Sequence, residues 1–516
     1  MIVLKEWRQI LARAALFLAV TLLSIGMPVA SDDFMDDQVV VGLVPGASID
    51  AVNQRYGTHT LEHPPGNLDY LLGTQPGQNI DALIQQMSTD PDTDYAEKNH
   101  TSETAEGIQG TLPAVDRSAN LDTYQAQPSA AAVHADPAHA FATGDTVIVA
   151  VVDEGLDPAN PQFVGRFAPG GFDFVDGDAL PWETRNGIDD DLDGQTDEGY
   201  GHGTHVAGII LLAAPTAAIL PIRVLDDEGR GSSFRVAEGI RHAVAHGARV
   251  INLSLAVRKK SNLIGKAIRE AQNLGVSVVV AVGNRGLELM EHPSDESDVI
   301  AVSATDPAGV KVPFSNYGGS VTVSAPGSDV LSFYGSDTYA RWGGTSMAAP
   351  FASGGAALLL ERYPTLDGRQ VAAKVRQTAT DISGLNPSYA GKLGAGLLNL
   401  EGLATVAAAT TESVKVRQVP TGTVVSWQVA EGASSYDLVR GNVGSLSDTG
   451  TQVQLGPVVC LANDTPSLAG APDPDIPSPG QAFFYLMRTG SPSGSSSYGN
   501  SSTLHARVAS SGDCGL

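Results

Sequence analysis

The sequence predicts an α/β fold in which a doubly wound, mostly parallel sheet forms the main domain at residues 129–410. Runs of β-branched apolar residues alternate there with helical segments, as strands buried on both faces require. A small α+β pattern precedes this domain at residues 32–100, and an all-β pattern suited to a sandwich follows at residues 413–516. A chain of 516 residues is long enough for this arrangement.

Residues 1–31 have the features of a secretory signal peptide. Lys5, Arg8 and Arg13 form a basic start, residues 14–25 are apolar, and small residues follow them. The apolar run is too short to favour a membrane span, although an uncleaved membrane anchor stays the alternative. We therefore expect secretion, ending outside the cell or at the cell envelope.

The next region, residues 32–100, alternates strands with short helices. Strands are expected at residues 39–44 and 69–72, and helices at residues 48–56 and 79–87. Ser48 and Asn79 are suitable helix caps because their side chains can accept hydrogen bonds from the first turn. Residues 101–128 are polar with few apolar positions, so an exposed linker is expected there.

The main domain is expected to contain six strands and four helices. The strands are predicted at residues 147–152, 218–225, 249–255, 276–282, 299–304 and 321–324, and the helices at 236–245, 263–273, 346–361 and 369–378. Asp153 directly follows the first strand, and Asn284 follows a later one. Because ligand sites in such sheets lie at the carboxyl ends of the strands, both residues are expected at the edge where a site would form.

The last hundred residues lose helical periodicity and gain Ser, Thr, Gly and Pro. Strands are expected at residues 424–427, which end at Trp427, at residues 436–440 and at residues 483–488. The two cysteines of the chain, Cys460 and Cys514, both lie here and could form one disulfide in an exported protein. A cysteine nucleophile is therefore excluded from the main domain.

The composition excludes some classes of function. The formal net charge is -26, so the chain lacks the basic surface that nucleic-acid binding needs. The same acidic balance is compatible with calcium binding and with solubility outside the cell. After the first 31 residues, no stretch is long and apolar enough to span a bilayer.

Three short motifs supply an Asp, a His and a Ser in that order. They are Asp153 in DEG, His202 in HGTHVAG and Ser346 in GGTSMAAP. A serine hydroxyl is a weak nucleophile until a histidine takes its proton, and a buried carboxylate must fix the tautomer of that histidine. The order differs from that of chymotrypsin and of the α/β-hydrolases. Taken alone, Ser346 and the Ala three residues after it, just before a helix, would favour a helix cap over a nucleophile.

At these motifs the chain resembles the subtilisin-like serine proteases, or subtilases, over about residues 130–408. The resemblance implies a secreted serine endopeptidase that hydrolyses polypeptides through an acyl-enzyme. Asp153 would orient His202, His202 would act as general base and then general acid, and Ser346 would be the nucleophile. Asn284 matches the side-chain donor of the family's oxyanion hole.

The chain also departs from the subtilase pattern near these motifs. Position 154 usually holds Thr or Ser in the family, and Glu154 leaves the local hydrogen bonding open. The family match makes His205 structural, and zinc is not expected because no HExxH motif or third ligand accompanies it.

The resemblance implies roles for the other regions as well. Residues 32–100 look like an inhibitory propeptide that lies across the active site of a self-processing zymogen, with maturation cleavage in residues 101–128. A permanent structural domain is the alternative. Residues 413–516 resemble a fibronectin type III domain, serving either as a binding accessory or as a stabilising appendage. The enzyme would be a monomer that needs no cofactor for its chemistry.

Two stretches resemble the strands that flank a bound peptide in subtilases. An extended substrate needs unpaired backbone groups at strand edges. The expected substrate-binding residues are Gly229, Arg230, Gly231, Ser254, Leu255, Ala256 and Gly283. The family usually has Gly at position 256, so Ala256 is expected to narrow a subsite. Glu291 is predicted at the base of the specificity pocket, where it would favour a basic residue before the scissile bond; a solvated surface glutamate is the alternative.

Residues 186–198 form an acidic, glycine-containing loop. Four carboxylates there are candidate calcium ligands: Asp189, Asp191, Asp193 and Asp197. The loop is not an EF-hand, because Tyr200 occupies the place of the required Glu. A structural calcium site and a solvated acidic loop both stay open.

Two other classes of function fit the sequence less well. A serine esterase or lipase would carry GxSxG, and residues 344–348 lack its final Gly. A catalytically silent binding protein would keep the fold and use the C-terminal region for adhesion. The filled catalytic positions argue against that alternative.

Overall fold

The computed structural model describes residues 33–64, 66–104, 106, 112–189 and 194–406 of the larger part of the chain. Further along, it describes residues 415–419, 422–426, 435–448, 452–465, 471–473, 475, 483–491, 494–495 and 506–511. The chain divides into two compact units, Met1–Thr405 and Val406–Leu516, which are described separately. The predicted signal peptide lies outside the described residues. None of the helices in the described parts is long and apolar enough to cross a membrane.

A small α+β module begins the first unit. Its elements are β1 (Phe34–Leu43), α1 (Ile49–Tyr56), β2 (His59–Glu62), β3 (Asp69–Gly73), α2 (Ile80–Met87) and β4 (Thr93–Thr104). The strands form an antiparallel sheet in the order β4-β1-β3-β2. Ser48 and Asn79 cap α1 and α2 as predicted, because their side chains accept hydrogen bonds from the N–H groups of Ala51 and Ala82.

A seven-stranded parallel sheet forms the centre of the first unit. Its strands are β6 (Ile148–Asp153), β7 (Phe172–Asp173), β8 (Ala218–Arg223), β10 (Val250–Leu253), β12 (Ser277–Ala281), β13 (Ile300–Thr305) and β14 (Val323–Pro326). The spatial order is β14-β13-β12-β10-β6-β8-β7. The order reverses direction beside β6, so the carboxyl ends of neighbouring strands open a crevice there, as the doubly wound arrangement requires.

Helices cover both faces of this sheet. The α-helices that follow the small module in the described part of the first unit are α3 (Leu121–Gln125), α4 (Pro128–Ala132), α5 (Ala135–His139), α6 (His202–Ala213), α7 (Ser233–Ala245), α8 (Asn262–Asn273), α9 (Thr345–Arg362), α10 (Gly368–Thr378) and α11 (Leu400–Thr405). Val278 and Val280 of β12 pack into the cluster that includes α7 and α8, whereas Val279 points the opposite way and is equally buried. The predicted doubly wound parallel fold is therefore confirmed.

Short strands complete the first unit outside the central sheet. β15 (Val330–Tyr334) and β16 (Thr338–Trp342) pair with β5 (Ala114–Val115) in a three-stranded sheet. Two further strands, β9 (Arg230–Ser232) and β11 (Leu255–Val257), lie on either side of β4.

The exposed linker predicted at residues 101–128 is wrong in two places. The first four of these residues continue β4 and are buried despite their polar side chains. Farther on, β5, α3 and the start of α4 are ordered elements, and Tyr124 is buried with its hydroxyl donating to Gly208 O at 2.5 Å. The polar composition misled the prediction at residues 101–104, because pairing of β4 with the distant strands β9 and β11 covers them and no local pattern reports this pairing. Most of residues 112–128 are exposed as predicted.

The second unit contains only strands and one short turn of helix in its described parts. The strands are β17 (Lys415–Val419), β18 (Gly422–Ser426), β19 (Ser435–Asn442), β20 (Ser447–Asp448), β21 (Gln452–Thr465), β22 (Ala471–Asp473), β23 (Phe483–Ser491), β24 (Gly494–Ser495) and β25 (Ala506–Ser511). They form two mainly antiparallel sheets, so the predicted β-rich region is confirmed. Cys460 on β21 is disulfide-bonded. Trp427 and Cys514 lie outside the described residues.

Candidate active site

Asp153 and His202 form a buried hydrogen-bonded pair at the carboxyl edge of the central sheet. Asp153 is the last residue of β6, and His202 is the first residue of α6. His202 Nδ1 lies 2.7 Å from Asp153 Oδ1, and both residues are 0% exposed. The carboxylate thereby fixes the ring so that its other nitrogen, Nε2, is turned to the rest of the site.

Two opposing effects set the pKa of His202. Burial lowers it, because burial disfavours the charged imidazolium. The charge of Asp153 and hydrogen bonds to Asp153 and Glu106 outweigh burial, so the pKa of His202 is raised well above its usual value. A base in this position can accept a proton from a serine and keep the resulting charge stabilised.

Ser346 approaches the same site from the N-terminal end of α9. Its hydroxyl lies 3.2 Å from Ser254 O. Gly344 caps the helix, and a Cβ at this position would collide with the Glu106 carboxylate and stand 3.1 Å from Asn284 Nδ2. Glycine is required here because the backbone passes so close to the reacting groups.

Asn284 connects the end of β12 to the start of α9. Its Oδ1 accepts a hydrogen bond from Thr345 N at 2.8 Å, so the amide is held in one orientation. Its Nδ2 then points into the site, 2.9 Å from Glu106 Oε1. Gly283 provides the turn before it with a φ of 100°, which favours glycine. The amide is thus in place to donate to a negatively charged oxygen.

The Glu106 carboxylate occupies the centre of this arrangement. Its Oε2 accepts a hydrogen bond from Ser346 Oγ at 2.5 Å and lies 3.1 Å from His202 Nε2. Its Oε1 takes the Asn284 amide, and the residue is 1% exposed. Glu106 therefore joins Ser346, His202 and Asn284 in one hydrogen-bonded cluster.

Backbone pairing brings β4 to this place in extended form. Glu103 and Thr104 of β4 lie opposite Ala256 and Leu255 of β11, and the pairing is antiparallel. On its other side β4 pairs with β9, and Thr104 N donates to Gly229 O at 3.0 Å. The two stretches predicted to flank a substrate therefore flank β4, and residues 229–231 and 254–256 lie on either side of one extended strand.

Comparisons with known proteins match both parts of this architecture. A model of the Subtilase family (Peptidase S8) matches residues 144–396, and a model of the fervidolysin N-terminal prodomain matches residues 25–99. Thermitase from Thermoactinomyces vulgaris is 38% identical over 268 residues, which cover 50% of this chain and 90% of thermitase. This chain belongs to the subtilase family.

Other similar proteins agree with this assignment. Subtilisin BL from Lederbergia lenta is 36% identical over 268 residues, covering 50% of this subtilase and 91% of the relative. The structure of fervidolysin from Fervidobacterium pennivorans, a keratinolytic enzyme related to subtilisin, has a TM-score of 0.61 at 22% identity over 93% of this chain and 79% of the other, and supports the fold. The predicted family, prodomain and class of enzyme, a subtilisin-like serine peptidase, are confirmed.

The prodomain of this subtilase caps two helices of the catalytic domain. Glu97 on β4 accepts hydrogen bonds from Ser261 Oγ at 2.7 Å and Asn262 N at 2.8 Å at the start of α8. Asn99 accepts one from Phe234 N at 3.1 Å near the start of α7. Helix N-termini carry unsatisfied N–H groups, so these contacts tie prodomain binding to the integrity of the two helices.

A buried carboxylate of the prodomain also anchors it to the catalytic domain. Asp69 is 0% exposed and accepts hydrogen bonds from Arg241 Nη2 at 2.6 Å and Lys266 Nζ at 2.9 Å. The hydroxyl of Tyr95, on β4, donates to the same carboxylate at 2.9 Å. A charge so deeply buried is tolerated because two cations meet it.

The unusual Glu154 contacts the backbone of His202 at the start of α6. Its Oε1 accepts hydrogen bonds from His202 N at 2.5 Å and Gly203 N at 3.3 Å at the start of α6. Burial, followed by the charges of Glu183 and Asp153, raises the pKa of Glu154 well above its usual value. Burial likewise raises the pKa of Glu183 to about 8. The carboxyl group of Glu154 is therefore an acceptor for the first N–H groups of α6.

His205 and Glu291, which the sequence singled out, are both buried but have different partners. His205 is buried with Nε2 3.0 Å from Ala340 O, and burial lowers its pKa to about 3, so it is a neutral structural residue. Glu291 is 6% exposed, lies directly against Gly283 and forms a 2.7 Å ion pair with Arg285 Nε. The alternative that Glu291 is a solvated surface residue is therefore wrong.

The acidic loop is described only in part. Asp189 Oδ2 accepts a hydrogen bond from Gly194 N at 3.0 Å, and Asp197 Oδ1 accepts one from Asn186 N at 2.9 Å. Asp191 and Asp193 lie outside the described residues. Elsewhere in the described chain, three potential ligands come together at His292, Asp295 and Glu296, but Lys260 lies 3.5 Å from Glu296 and would repel a cation.

Sequence reasoning did not place Glu106 in this site. It lies in a polar segment with no motif and no periodicity, and it reaches the site only because β4 is held at two distant strand edges. The one available signal was its position just after a prodomain-like pattern.

Proposed function

We propose that this subtilase is a secreted serine endopeptidase made as a zymogen that removes its own prodomain. Asp153, His202, Ser346 and Asn284 carry the reaction. The observation that supports this most is the occupation of the site: β4 runs between two strand edges as an extended substrate would, and the Glu106 carboxylate meets the nucleophile, base and amide donor.

The chemistry follows from these positions. Ser346 Oγ attacks the carbonyl carbon of the scissile peptide bond while its proton passes to His202 Nε2, and Asp153 stabilises the imidazolium. Asn284 Nδ2 and the Ser346 N–H donate to the oxyanion. His202 then protonates the leaving amine, and water hydrolyses the acyl-enzyme with His202 again as base.

The register of β4 supports one bond as the maturation site. Thr104 lies opposite Leu255, and the residue before Leu255 is Ser254, whose carbonyl is 3.2 Å from Ser346 Oγ. By count, the residue after Thr104 is the one whose carbonyl a substrate would present to Ser346. We therefore assign the cut to the bond between Ala105 and Glu106, inside the segment expected from the sequence.

The endopeptidase proposal is tested by hydrolysis of an unfolded protein. Wild type is expected to degrade it, whereas Ser346→Ala should lose about 10⁶-fold in turnover. Ser320→Ala, at an exposed serine of the same domain, is the matched control and should behave as wild type. Equal activity of wild type and Ser346→Ala would exclude Ser346 as the nucleophile.

The domain boundaries and secretion are part of the same proposal. Residues 1–31 would be removed on export, residues 32–105 would form the released prodomain, and the catalytic domain would extend to about residue 410. The β-rich region that follows would be an accessory that catalysis does not require. The N-terminal sequence of the secreted precursor carrying Ser346→Ala tests the first boundary; retention of residues 1–31 contradicts it.

A structural calcium ion is proposed for the loop at residues 186–198. Its donors would be carboxylate oxygens, which calcium prefers, from Asp189, Asp191, Asp193 and Asp197. The ion would stiffen the loop that precedes α6 and take no part in the reaction. Removal of calcium with a strong chelator should lower the melting temperature, and Asp189→Asn should remove that response; no response in wild type would exclude the site.

Glu291 is proposed to favour a basic residue before the scissile bond. Its burial against Gly283, next to the oxyanion-hole residue, supports this role, and Arg285 supplies an internal competitor for its charge. Arg285→Ala should therefore strengthen the preference for Lys and Arg in a peptide library. A library profile without basic preference in both proteins would remove the idea.

A further inference from the structure

Glu103 of the prodomain lies between two arginines of the catalytic domain. Its Oε2 accepts a hydrogen bond from Arg258 Nη2 at 3.0 Å, and its Oε1 lies 3.8 Å from Arg230 Nε. The side chain of Glu103 is 7% exposed, while those of Arg230 and Arg258 are 25% and 28% exposed. A carboxylate is thus largely enclosed by two cations that keep partial contact with solvent.

The two arginines belong to the strands that hold the substrate backbone. Arg230 is the first residue of β9 and stands directly opposite Glu103 in the antiparallel pairing. Arg258 follows the last residue of β11, which pairs with β4 on its other side. Any peptide that replaces β4 in this register must present one side chain between the same two guanidinium groups.

Release of the prodomain removes the carboxylates that Arg258 now meets. Its ion pairs within the described residues are with Glu103 and, at 3.9 Å, with Asp33, and both partners belong to the prodomain. On the catalytic side Glu291 exerts a smaller attraction on Arg258, but the ion pair of Glu291 is with Arg285. A substrate carboxylate therefore has a charged site to enter in the mature enzyme.

We propose that Arg230 and Arg258 form a subsite for the carboxylate of an Asp or Glu at the third residue before the scissile bond. The inference rests on the proposed function, since it requires that β4 mark the path of the substrate and that the cut follow Ala105. This subsite would give the enzyme a preference for an acidic residue at one substrate position, although the net charge of the whole chain is -26. Arginine suits this role because its planar donors bind carboxylates with defined geometry.

The test uses the processed full chain and three internally quenched peptides built on residues 101–108, with Glu, Gln or Lys at the position of Glu103. Wild type is expected to cleave the Glu peptide with a kcat/KM about fivefold to tenfold above that of the Gln peptide, with the Lys peptide lowest. Arg258→Gln should bring the Glu-to-Gln ratio close to one. Arg258→Glu should give the Lys peptide the highest kcat/KM of the three peptides.

Lys259→Gln is the matched control, because Lys259 lies next to Arg258, is 60% exposed and pairs with Asp33 instead of Glu103. The Glu-to-Gln ratio of this variant should equal that of wild type. Equal rates on the Glu and Gln peptides in wild type would overturn the subsite while leaving the peptidase intact, and would limit the arginine pair to prodomain docking. A wild type that cleaves none of the peptides and no unfolded protein would overturn the peptidase proposal and this one with it.

Discussion

The two sides of the active site reach the same place by different means. On the catalytic side, Asp153, His202 and Ser346 stand at the ends of a buried strand and two buried helices. On the prodomain side, β4 and Glu106, the first residue after the proposed cut, arrive through backbone pairing of β4 at two strand edges, helped by ion pairs. The first side is built into the core of the domain, whereas the second is held by contacts that can dissociate.

This difference explains how one chain can contain both an enzyme and its inhibitor. The catalytic side keeps its geometry because its side chains are fixed by packing and by buried hydrogen bonds. The prodomain side pairs with β9 and β11, which we propose also bind peptide substrates, so its affinity should depend on the same two strand edges. Changes on the first side should affect turnover, and changes on the second should affect the timing of activation.

After the loss expected from Ser346→Ala, the largest effect is expected on the catalytic side, from Asn284→Ala. Loss of this proposed oxyanion donor should lower kcat by about 10²–10³-fold, because the amide is held where we propose that negative charge develops. The measurement is kcat of the processed enzyme on a peptide substrate. Asn273→Ala, at an exposed asparagine that ends α8, is the control. Unchanged kcat in Asn284→Ala would place the oxyanion elsewhere.

The largest effect on the prodomain side is expected from Asp69→Asn. The change leaves Arg241 and Lys266 facing a neutral amide at a buried position, although Glu238 and Glu270 still pair with Arg241. The released prodomain should bind the processed enzyme about tenfold to a hundredfold more weakly.

This weakening is visible as a shorter lag before full activity appears. Asp50→Asn, at an exposed position in the first turn of α1, serves as the control and should keep the lag of wild type. If the lag of Asp69→Asn equals that of wild type, the buried network does not hold the prodomain in place.

A smaller effect is expected from Glu106→Ala. The carboxylate occupies the hydrogen-bonding groups that the scissile carbonyl needs, so its removal should speed prodomain cleavage about tenfold. The rate is read from the loss of full-length chain on gels or by mass. Glu62→Ala, at an exposed prodomain position, is the control. Slower processing of Glu106→Ala would mean that the carboxylate helps the reaction instead of blocking it.

The smallest effect is expected on the catalytic side, where Glu183→Gln should change the stability of the folded protein. Burial raises the pKa of Glu183 from 4.5 to about 8. Between pH 4.5 and about 8, the side chain is therefore protonated in the folded state and ionised in the unfolded state. Stability should therefore fall as the pH rises from about 4.5 to about 8, and glutamine should remove this loss. The gain should reach at least about 1 kcal/mol at alkaline pH, or about 2–4 °C in Tm.

Thermal unfolding of both proteins across this pH range measures the effect. The two curves should converge below about pH 4.5, where Glu183 is protonated in both the folded and the unfolded states. A difference in Tm that does not change with pH would show that Glu183 does not titrate in this range.

The catalytic side could be predicted from the sequence, and the prodomain side could not. β-branched runs and glycine-rich motifs report the strand before Asp153 and the helix after Ser346, because these residues are buried by their own local elements. Glu103 and Glu106 have no such signal, since their burial comes from strands more than a hundred residues away. Glu154 was recognised as unusual, but its contact with the start of α6 needed the three-dimensional structure.

The most direct test is to determine the N-terminal sequence of the processed enzyme while its intact mass is followed over time. We predict that wild type acquires a new N-terminus at Glu106 and that Ser346→Ala keeps its prodomain attached. A stable wild-type precursor, or a first cut at another bond such as one within residues 112–128, would contradict the claim that β4 lies in the active site as a substrate.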